Sequence, residues 1–72
     1  MKTFRQLEIE EDLRGRYTGL MTLVDIGNEL GIHYRPSIER FMGDTPAYEV
    51  NGIRKWRIQD FAKRLADCEV TK

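Results

Sequence analysis

Apolar residues recur at intervals of three and four positions after Thr22, which is the pattern of an amphipathic helix. Leu23, Ile26 and Leu30 share one face of that helix. Thr22 precedes the pattern as a favourable N-cap, and Asp25 completes a capping box three residues later. The pattern therefore predicts a first helix that begins directly after Thr22.

Two glycines shape the same helix. Gly27 lies in its interior, where glycine costs up to about 1 kcal/mol relative to alanine, so we expect another helix to cross closely there. Gly31 follows the last apolar position and is expected to end the helix in the left-handed conformation. Met21 and Ile26 have the spacing of a hydrophobic staple, which fixes how the chain enters the helix.

A second helix is predicted over Pro36–Met42, after a turn over residues 31–35. Proline suits the N1 position because it has no N–H to leave unpaired. It also disfavours the α conformation of Arg35, which would then be the N-cap. The residues expected on the buried face are Ile38, Phe41 and Met42.

Residues rich in β-propensity flank Asn51-Gly52, which predicts a β-hairpin with a two-residue turn. Both turn residues tolerate the positive φ that this turn requires. Glu49 and Arg54 are expected to form a cross-strand ion pair near the tip. The loop length fixes the register, with Val50 opposite Ile53, Glu49 opposite Arg54, Tyr48 opposite Lys55 and Ala47 opposite Trp56.

Side chains alternate between the two faces of a hairpin, so two orientations are open. We favour the orientation that buries Trp56 and Ile58, with the small Ala47 leaving room opposite the indole. The alternative buries Val50 and Ile53 instead. In the favoured orientation the outward residues are Tyr48, Lys55 and Arg57.

The N-terminal stretch has two interpretations. Leu7-Glu8-Ile9-Glu10 alternates like a short edge strand, whereas residues 7–13 fit a helix that ends at Gly15. The pattern does not decide between them. The apolar side chains expected to pack on the rest of the chain are Phe4, Leu7, Ile9 and Leu13.

A closing helix is predicted over residues 59–69, because Phe61, Leu65 and Cys68 are spaced i, i+4, i+7. Phe61 and Leu65 are expected to pack against the hairpin face that carries Trp56. Cys68 is expected to be a small apolar filler rather than a reactive thiol. Residues 70–72 are expected to fray.

The length of 72 residues predicts a single α+β domain. Its parts would be an N-terminal extension of uncertain structure (1–20), a helix-turn-helix (21–43), a hairpin wing (44–58) and the closing helix (59–69). No apolar run is long enough to span a membrane. His33 and Cys68 are the only residues of their types, and no glycine-rich phosphate loop is present. We therefore expect neither an enzyme nor a metal or cofactor site.

A helix pair followed by a hairpin is the layout of a winged helix-turn-helix, and such modules usually bind DNA. The second helix would present free N–H groups and its positive end to phosphate, and Arg40 can fork onto a guanine edge. A basic hairpin tip can lie along a minor groove. The candidate DNA-binding residues are Tyr34, Arg35, Ser37, Arg40, Asn51, Gly52, Arg54, Lys55 and Arg57.

The charge of the chain leaves a rival interpretation open. The net charge is zero, with acidic residues near the N-terminus and basic residues in and after the hairpin. Many DNA-binding domains are basic overall, so a neutral chain also suits a protein-interaction module of the same fold.

Several segments together resemble the excisionase-type, MerR-like winged helix family. They are residues 21–26 (Met-Thr-Leu-Val-Asp-Ile), 30–32 (Leu-Gly-Ile), 46–52 (Pro-Ala-Tyr-Glu-Val-Asn-Gly), 55–58 (Lys-Trp-Arg-Ile) and 60–65. The resemblance covers about residues 20–66, and the hairpin segment is its most specific part. Two departures stand out: Pro36 and the longer turn before it displace the start of the second helix, and Asn51 replaces a glycine of the hairpin tip.

The resemblance implies a DNA-binding protein of a phage or mobile element. It implies an excisionase that bends attachment-site DNA and directs an integrase, or a small transcription regulator. The implied partners are double-stranded DNA, an integrase and further copies of the chain on adjacent sites. The implied location is the cytoplasm, in association with the nucleoid.

Overall fold

The computed structural model describes residues 2–70, which form four helices and a three-stranded antiparallel sheet. The predicted α+β class is confirmed. Residues 71 and 72, the end of the segment expected to fray, lie outside the described residues. In chain order the elements are α1 (Phe4–Arg14), β1 (Leu20–Thr22), α2 (Leu23–Leu30), α3 (Arg35–Met42), β2 (Tyr48–Val50), β3 (Ile53–Arg57) and α4 (Ile58–Asp67).

The N-terminal stretch is a helix and not an edge strand. Thr3 caps α1 by accepting a hydrogen bond from the backbone N–H of Gln6. The buried face of α1 carries Leu13 together with Gln6 and Glu10, whereas Phe4 and Leu7 are exposed. The expectation that Phe4 and Leu7 pack inward is therefore wrong. A face with two polar residues has no apolar periodicity, and for this reason the sequence pattern was ambiguous.

Glu10 is almost fully buried, and its charge is compensated by groups close to it. Its carboxylate lies 3.0 Å from Nζ of Lys2 and 3.2 Å from Nη2 of Arg14. It also accepts a hydrogen bond from Nε2 of Gln6, which donates a second one to the carbonyl of Gln59 at the start of α4. Because a buried charge is tolerated only when it is paired, this cluster fixes α1 against α4.

The start of α2 agrees with its prediction. Oγ1 of Thr22 accepts from the N–H of Asp25 at 3.2 Å, and the Asp25 carboxylate accepts from the N–H of Thr22 at 3.1 Å. Met21 and Ile26 are both fully buried, as the hydrophobic staple requires. Gly31 ends the helix with φ 71°, in the predicted left-handed conformation.

Gly27 marks the predicted close crossing, which is confirmed. A Cβ atom built on Gly27 would lie 2.7 Å from the carbonyl oxygen of Ile32 and 2.8 Å from Cδ1 of Ile38 on α3. No side chain larger than hydrogen fits there without a shift of the neighbouring atoms. The glycine therefore sets the distance between α2 and α3.

The start of α3 differs by one residue from its prediction. Tyr34 is the extended N-cap, and its carbonyl accepts from the N–H groups of Ser37 and Ile38, so Pro36 stands at N2 rather than N1. An N–H at N1 or N2 has no partner within a helix, so proline is tolerated at either position. Arg35 thereby becomes the first helical residue instead of the cap.

The strand β1 was not predicted from the sequence. β3 is the central strand: it pairs with β2 through Ile53–Lys55 and with β1 through Lys55–Arg57. Trp56 therefore lies opposite Met21. The ladder between β2 and β3 ends at Tyr48 and Lys55, so the predicted strand pair of Ala47 with Trp56 is not formed. A three-residue strand is too short to show alternation.

The rest of the hairpin is as predicted, with three register pairs as expected and a turn at Asn51 (φ 53°) and Gly52 (φ 77°). Trp56 is 2% exposed and Ile58 is 7% exposed, whereas Val50 and Ile53 are exposed, which confirms the favoured orientation. Ile58 is the first residue of α4 and not the end of the strand.

The closing helix packs mainly against α1 rather than on the hairpin. Phe61 is fully buried, and its ring makes an edge-to-face contact with Phe41 at 6.1 Å between centroids. Cys68 is exposed and forms the C-cap, so the expectation that it fills the core is wrong. Among the described residues, no helix has the length and apolar character needed to cross a membrane.

A polar network joins the end of α1 to α2. Glu29 accepts hydrogen bonds from Arg16 at 2.6 Å and from the hydroxyl of Tyr17 at 2.7 Å, and Arg16 also contacts Asp12. The hydrogen bond from Arg16 lowers the pKa of the Glu29 carboxyl below its usual value. The hydrogen bond to Glu29 raises the pKa of the Tyr17 hydroxyl.

We predict that Gly27→Ala destabilises the fold by about 1–3 kcal/mol, because the new methyl group overlaps Ile32 and Ile38. The better helix propensity of alanine returns less than about 1 kcal/mol. Urea unfolding measures the difference. Asn28→Ala, at an exposed position of the same helix, is the control and should be neutral or slightly stabilising. Equal stability of the Gly27→Ala variant and the parent chain would show that the crossing is not tight.

We also predict that Glu29→Gln lowers stability at pH 7 by about 1 kcal/mol, since the pair with Arg16 is partly exposed. A carboxyl whose folded pKa is lowered stabilises the fold above its unfolded pKa and ceases to do so as the pH falls through the folded value. The difference between variant and parent should therefore shrink between pH 7 and about pH 3. A difference that stays constant over this range in thermal unfolding would contradict the role of the charge.

Candidate nucleic-acid interface

The first two turns of α3 and the tip of the hairpin border a single groove, which we call the α3–hairpin groove. From α3 it is lined by Arg35 and Glu39. Two consecutive elements thus present Arg35 and Arg54 to one opening. The other lining residues are Leu23, Glu49, Gly52, Ile53, Arg54 and Trp56.

The two arginines of this groove are held in different ways. Nε of Arg35 donates to Oε1 of Glu39 at 3.3 Å, one helical turn further along α3. The guanidinium of Arg54 lies over the ring of Trp56, 5.3 Å from its centroid, in a cation–π contact. The predicted ion pair between Glu49 and Arg54 is not among the ion pairs of residues 2–70. Since Trp56 is itself buried, Arg54 is ordered by the core and not by Glu49.

The remaining α3 candidates lie outside this groove. Arg40 and Tyr34 are exposed, and Ser37 is half-buried. Arg40 lies on the outward side of α3, opposite the buried Ile38 and Met42, and forms no ion pair with another described residue. Its guanidinium is thus free to reach a ligand placed against the outer surface of α3.

The hairpin divides its candidates between two faces. Asn51 is exposed at the turn, and Arg54 faces the groove on the side of Trp56. Lys55 and Arg57 point to the opposite side of β3, because side chains alternate along a strand. Arg57 borders a separate groove with Arg14. The nine predicted residues therefore do not form one cluster. Arg35, Gly52 and Arg54 line the α3–hairpin groove, whereas Arg57 lines the other groove.

Sequence reasoning missed Arg64, which fixes the far end of α3. Nε and Nη2 of Arg64 donate to the carbonyl of Phe41, with the Nε distance at 3.0 Å, and the guanidinium lies 5.8 Å from the centroid of the Phe41 ring. A carbonyl in the last turn of a helix has no partner within the helix. A cation there also interacts favourably with the negative end of the helix dipole. Arg64 on α4 thus holds α3 at its C-terminal end. No local sequence signal identifies a contact between residues 23 positions apart.

Within residues 2–70, no three His, Cys, Asp or Glu side chains are grouped so that they can hold a metal ion. His33 is exposed in the turn between α2 and α3.

We predict that Arg64→Ala destabilises the fold by about 1–2 kcal/mol, because the Phe41 carbonyl loses a charged donor. Lys63→Ala is the control, since Lys63 is the exposed neighbour on the same helix and should change stability by less than about 0.5 kcal/mol. Chemical denaturation of both variants provides the test. Equal effects would mean that Arg64 contributes no more than a surface cation.

Comparisons of the chain with protein-family models, with curated proteins and with solved structures find no match.

Proposed function

We propose that this chain is a sequence-specific double-stranded DNA-binding protein of the winged helix-turn-helix type. The observation that carries the proposal is the α3–hairpin groove, in which Arg35 of the second helix and Arg54 of the hairpin face one opening. In winged helix proteins these two elements engage neighbouring grooves of one duplex, the helix in the major groove and the wing along the minor groove.

The first turn of α3 suits a duplex for electrostatic reasons. The backbone N–H of Arg35 remains available to a ligand there, because Pro36 has no N–H and the N–H groups of Ser37 and Ile38 donate to the carbonyl of Tyr34. The helix dipole adds partial positive charge at that end. Arg35 at N1 and Arg40 are both exposed; Arg35 is paired with Glu39, and Arg40 has no ion-pair partner among the described residues. Phosphate contacts fix the orientation of a protein on the duplex, and we assign Arg40 to a contact with a base edge.

A neutral chain can bind a polyanion when its charges are segregated. The acidic side chains of Glu8 and Glu11 lie on the exposed side of α1. α3 and the hairpin carry five cationic side chains, Arg35, Arg40, Arg54, Lys55 and Arg57, against the two carboxylates of Glu39 and Glu49. The relevant quantity for DNA is the local positive charge around α3 and the hairpin, and not the sum over the chain.

Within this class we propose an excisionase, which binds and bends attachment-site DNA of a phage or mobile element and directs an integrase. Support for this finer assignment comes from the sequence resemblance. A binding assay against the DNA that flanks its own gene, with a circular-permutation assay for bending, distinguishes it from a transcription regulator that does not bend its site. The proposed location is the nucleoid of the cytoplasm.

One observation favours a second candidate, a protein-interaction module that does not bind DNA. The outward face of the hairpin exposes the apolar side chains of Tyr48, Val50 and Ile53, which are 44%, 41% and 52% exposed. Contiguous exposed apolar residues are typical of protein-binding surfaces. Such a module would show no salt-dependent affinity for duplex DNA, which separates the two candidates.

We predict that the affinity of the chain for duplex DNA falls with salt, with a slope of about −0.9 per phosphate neutralised in a plot of log affinity against log salt. Arg54→Ala should weaken binding to all duplexes similarly and flatten the slope by about one unit. Lys55→Ala should have a smaller effect, because Lys55 lies on the face of β3 opposite the groove. Arg40→Ala should instead lower the preference for the correct site. Fluorescence titrations of labelled duplexes at several salt concentrations measure the salt slope and the preference for the correct site.

Lys63→Ala serves as the control in these titrations, because Lys63 is an exposed cation on α4, outside the groove. Unchanged binding in both Arg54→Ala and Arg40→Ala, or a slope for Arg54→Ala identical to that of Lys63→Ala, would refute the placement of DNA against α3 and the hairpin.

A further inference from the structure

The α3–hairpin groove holds two carboxylates as well as two arginines. Glu39 enters it from α3 and Glu49 from β2. A carboxylate beside a polyanion repels phosphate, so neither residue strengthens general binding to a duplex. A carboxylate that faces the floor of the major groove, however, can accept a hydrogen bond from the N4 amino group of cytosine.

Only Glu39 lies on the helix proposed to enter the major groove. It stands four residues after Arg35, so both side chains lie on the same side of α3. The contact between them joins Nε of Arg35 to Oε1 of Glu39 at 3.3 Å. Within residues 2–70, the two Nη groups of Arg35 and the Oε2 atom of Glu39 have no hydrogen-bond partner.

The pair therefore offers a forked donor and an acceptor side by side, on side chains that are 76% and 48% exposed. A G·C base pair presents the complementary arrangement in the major groove, with guanine O6 and N7 as acceptors and cytosine N4 as donor. Opposite thymine, the carboxylate would meet the O4 acceptor and repel it.

We infer that Glu39 is a specificity-determining residue that, together with Arg35, selects a G·C base pair in the target site. This inference rests on the proposed function, since it assigns a base preference to the helix proposed to enter the major groove. Arg35 supplies the attraction to guanine. Glu39 accepts from cytosine and disfavours bases that present an acceptor at the same place.

The test uses the full chain and begins with selection from a duplex library that is randomised over one helical turn between fixed flanks. Each position of the best duplex is then replaced in turn, and dissociation constants are measured for the parent chain and for two variants. Glu39→Gln keeps the shape of the side chain and removes its charge. Glu49→Gln is the matched control, because it removes the same charge from the hairpin side of the same groove.

We expect the parent chain to prefer G·C at one position of the duplex. Glu39→Gln should reduce this preference about tenfold and leave the other positions unchanged. Glu49→Gln should keep the preference. Circular dichroism of both variants checks that they are folded, which we expect because both side chains are exposed.

Three other outcomes would overturn the inference. If Glu39→Gln and the parent chain have the same base preferences, Glu39 does not determine specificity, although duplex binding stands. If Glu39→Gln and Glu49→Gln lose the preference equally, only the net charge of the groove matters. If the parent chain binds no duplex in a salt-dependent manner, the proposed function itself is wrong and the inference with it.

Discussion

The double pairing of β3 is the constraint on which the rest of the structure depends. Toward the tip this strand pairs with β2, and toward its end it pairs with β1, with Lys55 shared between both ladders. β1 runs directly into α2 through the capping box at Thr22. The hairpin is thus hydrogen-bonded to the strand that precedes the helix pair. Trp56 and Met21 lie opposite each other in this ladder, and their buried side chains stabilise it from the core.

The position of α3 follows from contacts at both of its ends. Near its start, Gly27 allows Ile38 to approach α2 closely, and at its end Arg64 binds the carbonyl of Phe41. Neither contact involves the exposed side of the helix. The core therefore fixes α3 relative to the hairpin while Arg35 and Arg40 remain accessible, so the α3–hairpin groove is formed before any ligand arrives.

Features set by neighbouring residues were predictable from the sequence, and features set by distant residues were not. The turn at Asn51-Gly52, the capping box and the glycine crossing each depend on local conformational preferences. β1 exists only because β3 lies beside it, and the buried amide of Gln6 donates to the carbonyl of Gln59, 53 positions along the chain. For the site, the residue types and the division of the hairpin residues between two faces were predictable. The meeting of Arg35 and Arg54 at one groove was not, because it depends on how the core holds α3, and Glu39 was missed as a site residue.

The central claim is that α3 and the hairpin bind one DNA duplex at the groove between them. The most direct test is an NMR titration of the isotopically labelled chain with a duplex that it binds, followed through backbone amide shifts. The account predicts that the perturbed amides cluster in the first two turns of α3 and around the tip of the hairpin, with the outward face of α1 unaffected. Perturbations confined to α1, or a set of perturbed amides that includes none in α3, would contradict it.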